Sequence, residues 1–325
     1  MITRKDIAAH LEKQVILGML RSRSEYTPLR STFTREVTGT GAFEIMADLG
    51  DQPWPRLGAG KQGAGGTDGR TSAPVVNQMT AGQPIVYTDA EERALMVYPL
   101  YWYIAKEVSH AAINQDRSGD LEAWARAGMI NFQRHIDFLC FDALNSGEAT
   151  TNYGAGYDGL SFYNDSHVDP GAEYTTVQDN KYASTLTLDN FETVRVAASN
   201  FKDSRGQPQG YNHNLLIVPP ALERVAANIT TNVEDYAVAN RAMNPYAGNI
   251  RSLIAPGGWL DATSWHLLDV SDPLSKPILV FMFQRPQMVP TWDNENIGAG
   301  VRYYKMESWY GVAYGNWRRS IQGNT

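Results

Sequence analysis

The sequence has little of what disulfides, metal centres or membrane anchors need. Its 325 residues contain one cysteine, Cys140, so neither an intrachain disulfide nor a multi-cysteine metal site can form. No run approaches the roughly 20 apolar residues that cross a bilayer, and the polar stretch from Met1 to Asp6 lacks the apolar core of a signal peptide. These absences predict a soluble protein that folds in a reducing cytosol and has no membrane partner.

Positive charge is also scarce. The formal net charge is −7, which argues against a free-standing nucleic-acid binder, because such proteins normally carry a basic surface. The charge is unevenly distributed, since residues 1–36 hold seven Lys and Arg residues against four acids. The sequence therefore predicts a locally basic N-terminal segment on an otherwise acidic protein.

No catalytic or cofactor motif stands in the context that its chemistry requires. Gly58 to Gly63 matches G-x-G-x-x-G, but no predicted strand precedes it and no helix follows it, so no dinucleotide site is predicted. Asp165, His167 and Asp169 could converge on a metal, although the turn-forming residues around them favour a hydrogen-bonded loop. Cys140 falls on a buried helix face, where a thiol is inert. No cofactor, metal or catalytic site is predicted.

The clearest periodic signal predicts one long helix. Apolar residues recur at helical spacing from about 120 to 146, which corresponds to a rod of roughly 40 Å. Such a helix is more typical of a scaffold than of a compact enzyme. Its predicted core residues include Leu121, Trp124, Phe132, Ile136 and Leu139.

Other patterns predict an α+β fold, because helices and strands mix without regular βαβ alternation. An amphipathic helix is predicted over 4–22 and a flexible glycine-rich loop over 58–74. The stretch 83–104 reads as extended, and its second half has the apolar character of a strand buried on both faces, inside the fold or at an interface. Further helices are predicted at 187–201 and 221–228, and further strands at 215–218, 250–254, 265–268, 278–283 and 301–314.

Several segments of the C-terminal half carry a family resemblance. They are Asn214 to Glu223, Asn244 to Tyr246, Trp259 to Asp261, Ser264 to Asp269 and Tyr310 to Arg318, preceded by Gly159 to Tyr163 with His167. In this order they resemble the Mu-like phage major head subunit family. The likeness is strongest over 158–321 and weaker, though collinear, over 1–157.

The resemblance implies the Hong Kong 97-type capsid fold, with four segments. Residues 1–49 would be an N-terminal arm and lead-in strand, and 50–95 an extended loop, the E-loop, that lies over a neighbour. Residues 96–185 and 280–325 would form a peripheral domain with a spine helix at 120–146. Residues 186–279 would form an axial domain near the symmetry axes.

The resemblance also implies a non-enzymatic major capsid protein of a tailed phage. Its copies would form hexamers and pentamers of an icosahedral head around double-stranded DNA, with a portal, a scaffold or protease, and decoration proteins as further partners. The protein would reside in the virion after assembly in the host bacterial cytoplasm. Candidate intersubunit contacts are Trp54, Lys61 and Arg70, and candidate lumen-facing arm residues are Arg4, Lys5, Lys13, Arg21 and Arg23.

Two alternatives remain open from the sequence. An encapsulin-like compartment shell would enclose a protein cargo instead of a genome. An α+β hydrolase would use the acids near His167. Aromatic content, with 8 Trp, 17 Tyr and 10 Phe, favours an assembly protein, because large amphipathic side chains concentrate in interfaces.

Overall fold

The structure is a computed structural model, and it describes residues 26–39, 44–48, 93–109, 118–168, 174–203, 206–232, 244–290 and 301–324. The predicted helix over 4–22 and the glycine-rich loop over 58–74 lie outside these ranges. Outside them also lie the candidate contacts Trp54, Lys61 and Arg70 and the arm residues Arg4, Lys5, Lys13, Arg21 and Arg23.

Strands in the described part of the chain form two main sheets and a two-stranded ribbon. The strands are β1 (Thr34–Thr38), β2 (Glu44–Asp48), β3 (Arg93–Val97), β4 (Leu100–Ser109), β5 (Lys181–Tyr182), β6 (Leu215–Val218), β7 (Arg251–Ile254), β8 (Trp265–Leu268), β9 (Ile278–Pro290), β10 (Val301–Tyr314) and β11 (Ser320–Gly323). The ribbon joins β2 and β3 antiparallel, with Asp48 opposite Arg93.

The first sheet has the order β1-β9-β10-β4. β1 runs parallel to β9, and β10 runs antiparallel to both β9 and β4. Side chains of β10 alternate as a strand requires: Tyr304, Met306 and Tyr310 are buried, whereas Tyr303 is exposed and Lys305 half-buried. The sheet therefore has a core face, which carries the first three residues, and an outer face, which carries the last two.

The predicted long helix is confirmed as α1, which spans Ser118–Asn145 and has 28 residues. It packs on the core face of the first sheet, where Phe132 and Ile136 are buried. Trp124 and Leu139 are half-buried and pack against the same core. Leu121 lies in the helix, but its side chain is not among those that the structure describes. The helical periodicity thus identified both the rod and the face that it buries.

Gly128 in the middle of α1 has a packing reason. Glycine in a helix interior costs about 1 kcal/mol relative to alanine. A Cβ at Gly128 would come within 2.1 Å of the Met306 Cε atom on β10. The missing side chain therefore leaves room for the Met306 side chain between the helix and the sheet.

The second sheet has the order β5-β11-β8-β6-β7. Helices α2 (Leu188–Ser199) and α3 (Glu223–Thr230) accompany it. All four residues in each of β6, β8 and β11 are buried, as expected for interior strands. The Thr187 side chain caps α2 by accepting a hydrogen bond from the Asn190 backbone amide, which stabilises the predicted helix start. None of the described helices has the length and hydropathy needed to span a membrane.

The second sheet contains strands from both of the segments predicted to be domains. The family resemblance implied that 96–185 and 280–325 form one domain and that 186–279 forms another. In the structure β11 pairs with β5 on one side and with β8 on the other. The chain therefore returns from the first sheet into the second within its last described residues.

The second half of the stretch over 83–104 was predicted to be buried on both faces, inside the fold or at an interface, and one subunit alone does not bury its outer face. The described part of this stretch forms β3 and β4, which are separated at Tyr98 and Pro99. β4 is an edge strand, and Tyr103 on its outer face has 63% of its surface exposed. Its apolar character is real, but no described residue covers the outer face there.

Candidate intersubunit surface

Exposed apolar side chains concentrate at one edge of the first sheet. Among the described residues, the large apolar side chains there keep between 37% and 63% of their surface exposed, and they are Tyr98, Leu100, Tyr101, Tyr103 and Tyr303. We call these five residues the tyrosine patch. A concentration of large exposed apolar side chains marks interaction sites in folded proteins.

The patch continues inward as a row of aromatic rings on the outer face. The ring centroids of Tyr101 and Tyr103 lie 5.7 Å apart, and those of Tyr101 and Trp309 lie 4.9 Å apart. Phe283 on β9 meets Trp309 edge-on at 6.4 Å. These distances are typical of favourable aromatic pairs, so the rings form one row across β4, β10 and β9.

An ion pair between Lys305 and Glu307 lies within this row. Lys305 Nζ is 2.8 Å from Glu307 Oε2 and donates to the Tyr101 hydroxyl oxygen at 2.8 Å, while that hydroxyl donates to Glu307 Oε2 at 2.8 Å. The hydrogen bonds that Lys305 donates to Glu307 and Tyr101 raise the pKa of Lys305 to about 12. The hydrogen bond from Lys305 lowers the pKa of Glu307. Both groups stay charged near neutral pH, and together they hold the Tyr101 ring in place.

Beyond the row, the outer face carries a small apolar cluster. Its buried members are Val97, Leu279, Phe281 and Ala313, with Val37 and Phe283 packed beside them. Phe283 contacts both the cluster and Trp309. Apolar side chains therefore extend across the outer face from β1 to β4, interrupted by the ion pair of Lys305 and Glu307, and they are most exposed at β4.

The backbone edge of β4 is a second part of this surface. β4 is ten residues long and pairs with β10 on one side; no strand among the described residues pairs with its other side. A long apolar edge strand promotes association with another chain unless it is covered. The sequence indicated an interface here through Tyr101 and Tyr103, but the contribution of β10 was missed, although Tyr303, Lys305, Glu307 and Trp309 alternate along that strand.

The His167 segment has the geometry of an internal brace. The His167 side chain is fully buried, with Nδ1 2.5 Å from Asp158 Oδ2 and Nε2 3.1 Å from Asn180 Oδ1. Its ring stacks on Trp317 at 4.0 Å. Asn180 in turn donates to backbone carbonyls, including that of Ser320. The segment is therefore fastened to the C-terminal strand, in line with the predicted hydrogen-bonded loop.

Asp158, and not the candidate metal ligand Asp165, contacts His167. Asp165 is exposed and accepts a hydrogen bond from Ser166 Oγ, and Asp169 lies outside the described residues. The true partners, Asp158 and Asn180, are 9 and 13 residues away along the chain and follow no recognisable spacing. Within the described ranges, no group of three or more His, Cys, Asp or Glu residues is arranged to hold a metal.

Comparisons with known proteins agree on one family and one fold. A family model described as phage capsid protein matches residues 105–321. No curated protein sequence matches the chain.

Several solved capsids share the fold at low sequence identity. The procapsid protein of bacteriophage JBD30 is 16% identical, with a TM-score of 0.54 over 100% of this chain and 76% of that one. The mature capsid protein of bacteriophage PhiM1 is 10% identical, with a TM-score of 0.53 over 92% and 87% of the two chains. A capsid protein of an empty GTA particle is 12% identical, with a TM-score of 0.52 over 92% and 90%. All three likenesses concern the arrangement of the backbone.

Proposed function

This chain belongs to the phage capsid protein family, and we propose that its copies assemble into hexamers and pentamers of an icosahedral head around double-stranded DNA. It is a major capsid protein of a tailed bacteriophage with the Hong Kong 97-type fold. The narrower likeness to Mu-like head subunits stays a prediction. The protein functions in the virion. We further propose that it assembles in the host cytoplasm.

The main support for self-assembly is the tyrosine patch. Tyr101, Tyr103 and Tyr303 expose large ring surfaces beside an unpaired strand edge. Tyrosine is enriched in protein interfaces because its ring is apolar and its hydroxyl still finds partners. In a shell, neighbouring copies would remove this surface from water, and the released free energy would favour association.

The predicted segments give each part of the chain a role in the shell. We assign 1–49 to the arm, 50–95 to the E-loop, 96–185 with 280–325 to the peripheral domain and 186–279 to the axial domain. The β2-β3 ribbon supports the E-loop assignment, because Asp48 pairs with Arg93 and so both ends of the intervening chain start from one point. Trp54, Lys61 and Arg70 would contact the neighbour over which this loop lies.

Other partners follow from the role of a capsid protein. The basic arm residues would face the packaged DNA, where cations offset phosphate repulsion without reading sequence. They are Arg4, Lys5, Lys13, Arg21 and Arg23. A portal, a scaffold or protease, and decoration proteins complete the proposed assembly. No observation favours the hydrolase alternative, and the family match favours a phage shell over a cargo compartment.

The test combines electron microscopy with a surface variant. We expect wild-type protein to form closed shells and native particles to protect DNA from nuclease. Tyr103→Ser combined with Tyr303→Ser should abolish closed shells while changing subunit stability by less than about 0.5 kcal/mol per site. The control is Val196→Ser, which alters an equally exposed apolar residue on α2.

The outcomes separate the possible roles of the patch. Normal shells from the double tyrosine variant would show that the patch is not an interface. Loss of shells from Val196→Ser as well would assign the effect to general loss of surface hydrophobicity. Shells that hold protein cargo and no nucleic acid would contradict the proposed genome container.

A further inference from the structure

Strand β4 presents its edge between two apolar faces. On the outer face, Tyr101, Tyr103 and Ala105 are exposed. On the core face, Trp102 and Ile104 are only half-buried, because α1 packs mainly against β9 and β10. A strand that lies along this edge would therefore meet apolar side chains on both sides of the sheet.

The backbone of β4 offers hydrogen-bonding groups along its whole length. Its ten residues pair with β10 from Leu100, opposite Tyr310, to Ser109, opposite Val301. In an antiparallel pair, alternate residues of an edge strand direct their amides and carbonyls away from the partner strand. Strand addition at such an edge gains affinity from the backbone and specificity from the side chains.

A second copy of β4 fits this edge better than any other described strand. The two main sheets and the ribbon have further edge strands within the described ranges, namely β1, β2, β3, β5 and β7. None of these exceeds five residues, so only another β4 matches the edge in length. An edge that pairs with its own copy forms a two-fold symmetric contact, which is the commonest arrangement in homo-oligomers.

The charges of β4 select the direction of this pairing. Lys106 and Glu107 are its only charged residues. Lys106 Nζ lies 5.9 Å from the Trp124 ring centroid, and Glu107 is exposed on the outer face. A parallel pair in register would place each charge beside the same charge of the other copy, which is destabilising. An antiparallel pair separates them.

The faces of the sheet and the charges together select the register. Directly opposite residues of an antiparallel pair lie on the same face, so the two-fold axis passes through a residue. Ile104 and Ala105 are the two centres that keep nearly all of both strands paired. Only the centre at Ile104 places Lys106 opposite an aromatic ring, that of the partner subunit's Trp102, where a cation is favourable.

We propose that two copies of the subunit pair their β4 edges antiparallel about a two-fold axis at Ile104, so that their two four-stranded sheets become one continuous sheet. This inference rests on the proposed function, because it assumes that copies associate, and it names the partner of the β4 edge. The two tyrosine patches then lie side by side on the outer face. The pairing also removes an edge that would otherwise recruit unrelated chains.

The first test locates the axis by disulfide formation in assembled protein. Ile104→Cys places one thiol of each copy at the axis, where opposite strands come within reach of a disulfide. The control is Tyr103→Cys, which is more exposed but lies diagonal to its own copy in this register. The native Cys140 is buried. Mild oxidation should link at least fivefold more Ile104→Cys than Tyr103→Cys into dimers. Equal linking, or none from Ile104→Cys, would overturn the proposal.

The second test changes only exposed residues of the outer face. Tyr103 lies opposite the partner subunit's Ala105 in this register. Tyr103→Lys with Ala105→Glu therefore places opposite charges across the axis, whereas Tyr103→Lys with Ala105→Lys places like charges there. Thermal unfolding verifies that both variants fold. Sedimentation should show association at least tenfold weaker for the like-charge variant. Equal association of the two variants would refute the pairing.

Hydrogen exchange distinguishes a second copy from a covering segment of the same chain. Alternate amides of β4 should exchange at least tenfold faster in soluble monomers than the amides of β8, which pairs on both sides, and they should become protected on assembly. Protection of these β4 amides already in the monomer would overturn the proposal.

Failure of the proposed function would look different. Wild-type protein would then form no shells, while oxidation of concentrated soluble Ile104→Cys would still report whether two β4 edges meet. Linked dimers without shells would contradict the capsid role but not the pairing. Shells without the Ile104→Cys link would contradict the pairing but not the capsid role.

Discussion

The backbone carbonyl of Tyr98 lies directly against the α-carbon of Gly311. A Cβ at Gly311 would come within 2.5 Å of the Tyr98 carbonyl oxygen and within 3.5 Å of the Pro99 α-carbon. The carbonyl oxygen is the obstacle, and as a backbone atom it cannot rotate away as a side chain can. Here the chain leaves β3, crosses beside β10 and enters β4.

We therefore expect Gly311→Ala to destabilise the subunit by about 1–3 kcal/mol, the usual range for overpacking. Urea unfolding of soluble subunits measures this change. The matched control is Gly257→Ala, because a Cβ there meets no atom within 4 Å. Equal stability of the two variants would mean that the backbone at Tyr98 moves to accommodate the added methyl group without loss of stability.

Phe132 is a core residue of α1, with 3% of its surface exposed. Phe132→Ala should lower the free energy of unfolding by about 3–5 kcal/mol, because it removes buried surface and leaves a cavity. Leu274→Ala serves as the control, since Leu274 is 68% exposed. A thermal midpoint of Phe132→Ala equal to that of wild type would contradict the packing of α1 on the sheet.

Acid should destabilise the fold through two buried histidines. Burial lowers the pKa of His266 from 6.5 to about 3, and burial also lowers that of His213. Below about pH 6.5 the unfolded chain then binds more protons than the folded chain, so the free energy of unfolding falls as pH falls. For His266 the fall extends toward pH 3, at no more than about 1.4 kcal/mol per pH unit.

Urea unfolding between about pH 7 and pH 5 tests this acid sensitivity. His266→Asn should be less stable than wild type at neutral pH, because His266 contacts the Tyr163 hydroxyl, yet its stability should depend less steeply on pH. An identical slope in both proteins would mean that the pKa of His266 does not differ between the folded and the unfolded chain.

The loop from 58 to 69 should matter for assembly and not for folding. Replacing it by a two-residue turn shortens the chain between Asp48 and Arg93, which changes closure entropy by under about 1 kcal/mol. Circular dichroism should therefore give a wild-type melting curve, while electron microscopy should reveal no closed shells. Normal shells would make the loop tip dispensable, and an unfolded subunit would make it part of the core.

Local patterns predicted the regular elements well. The helix predicted over 120–146 is Ser118–Asn145, and the strands at 265–268 and 301–314 have the predicted bounds. The side chains of the helix and of the strand at 301–314 alternate between core and surface with the period of their element, whereas 265–268 is a short apolar run that is buried throughout. The predicted end of β9 was too early, since the strand continues to Pro290.

Long-range pairs could not be predicted in the same way. Arg30 and Asp137 are 107 residues apart, and each reads on its own as a solvated charge. The exposed face of β4 illustrates the same difficulty. An apolar strand that another chain covers has the same composition as a strand buried in its own chain, so the sequence left both alternatives open. Sequence patterns identify apolar surface, but not which molecule covers it.

The position of β11 has a consequence for synthesis on the ribosome. Ser320–Gly323 lies between β5 and β8, and so the second sheet cannot close until these residues have emerged from the exit tunnel. β1 likewise cannot pair until β9, which is more than 200 residues downstream, has been synthesised. Pairings of such high sequence separation form slowly. Prematurely terminated chains would lack an interior strand of the second sheet, and this defect would keep them from joining a shell in which every position must be filled by a finished copy.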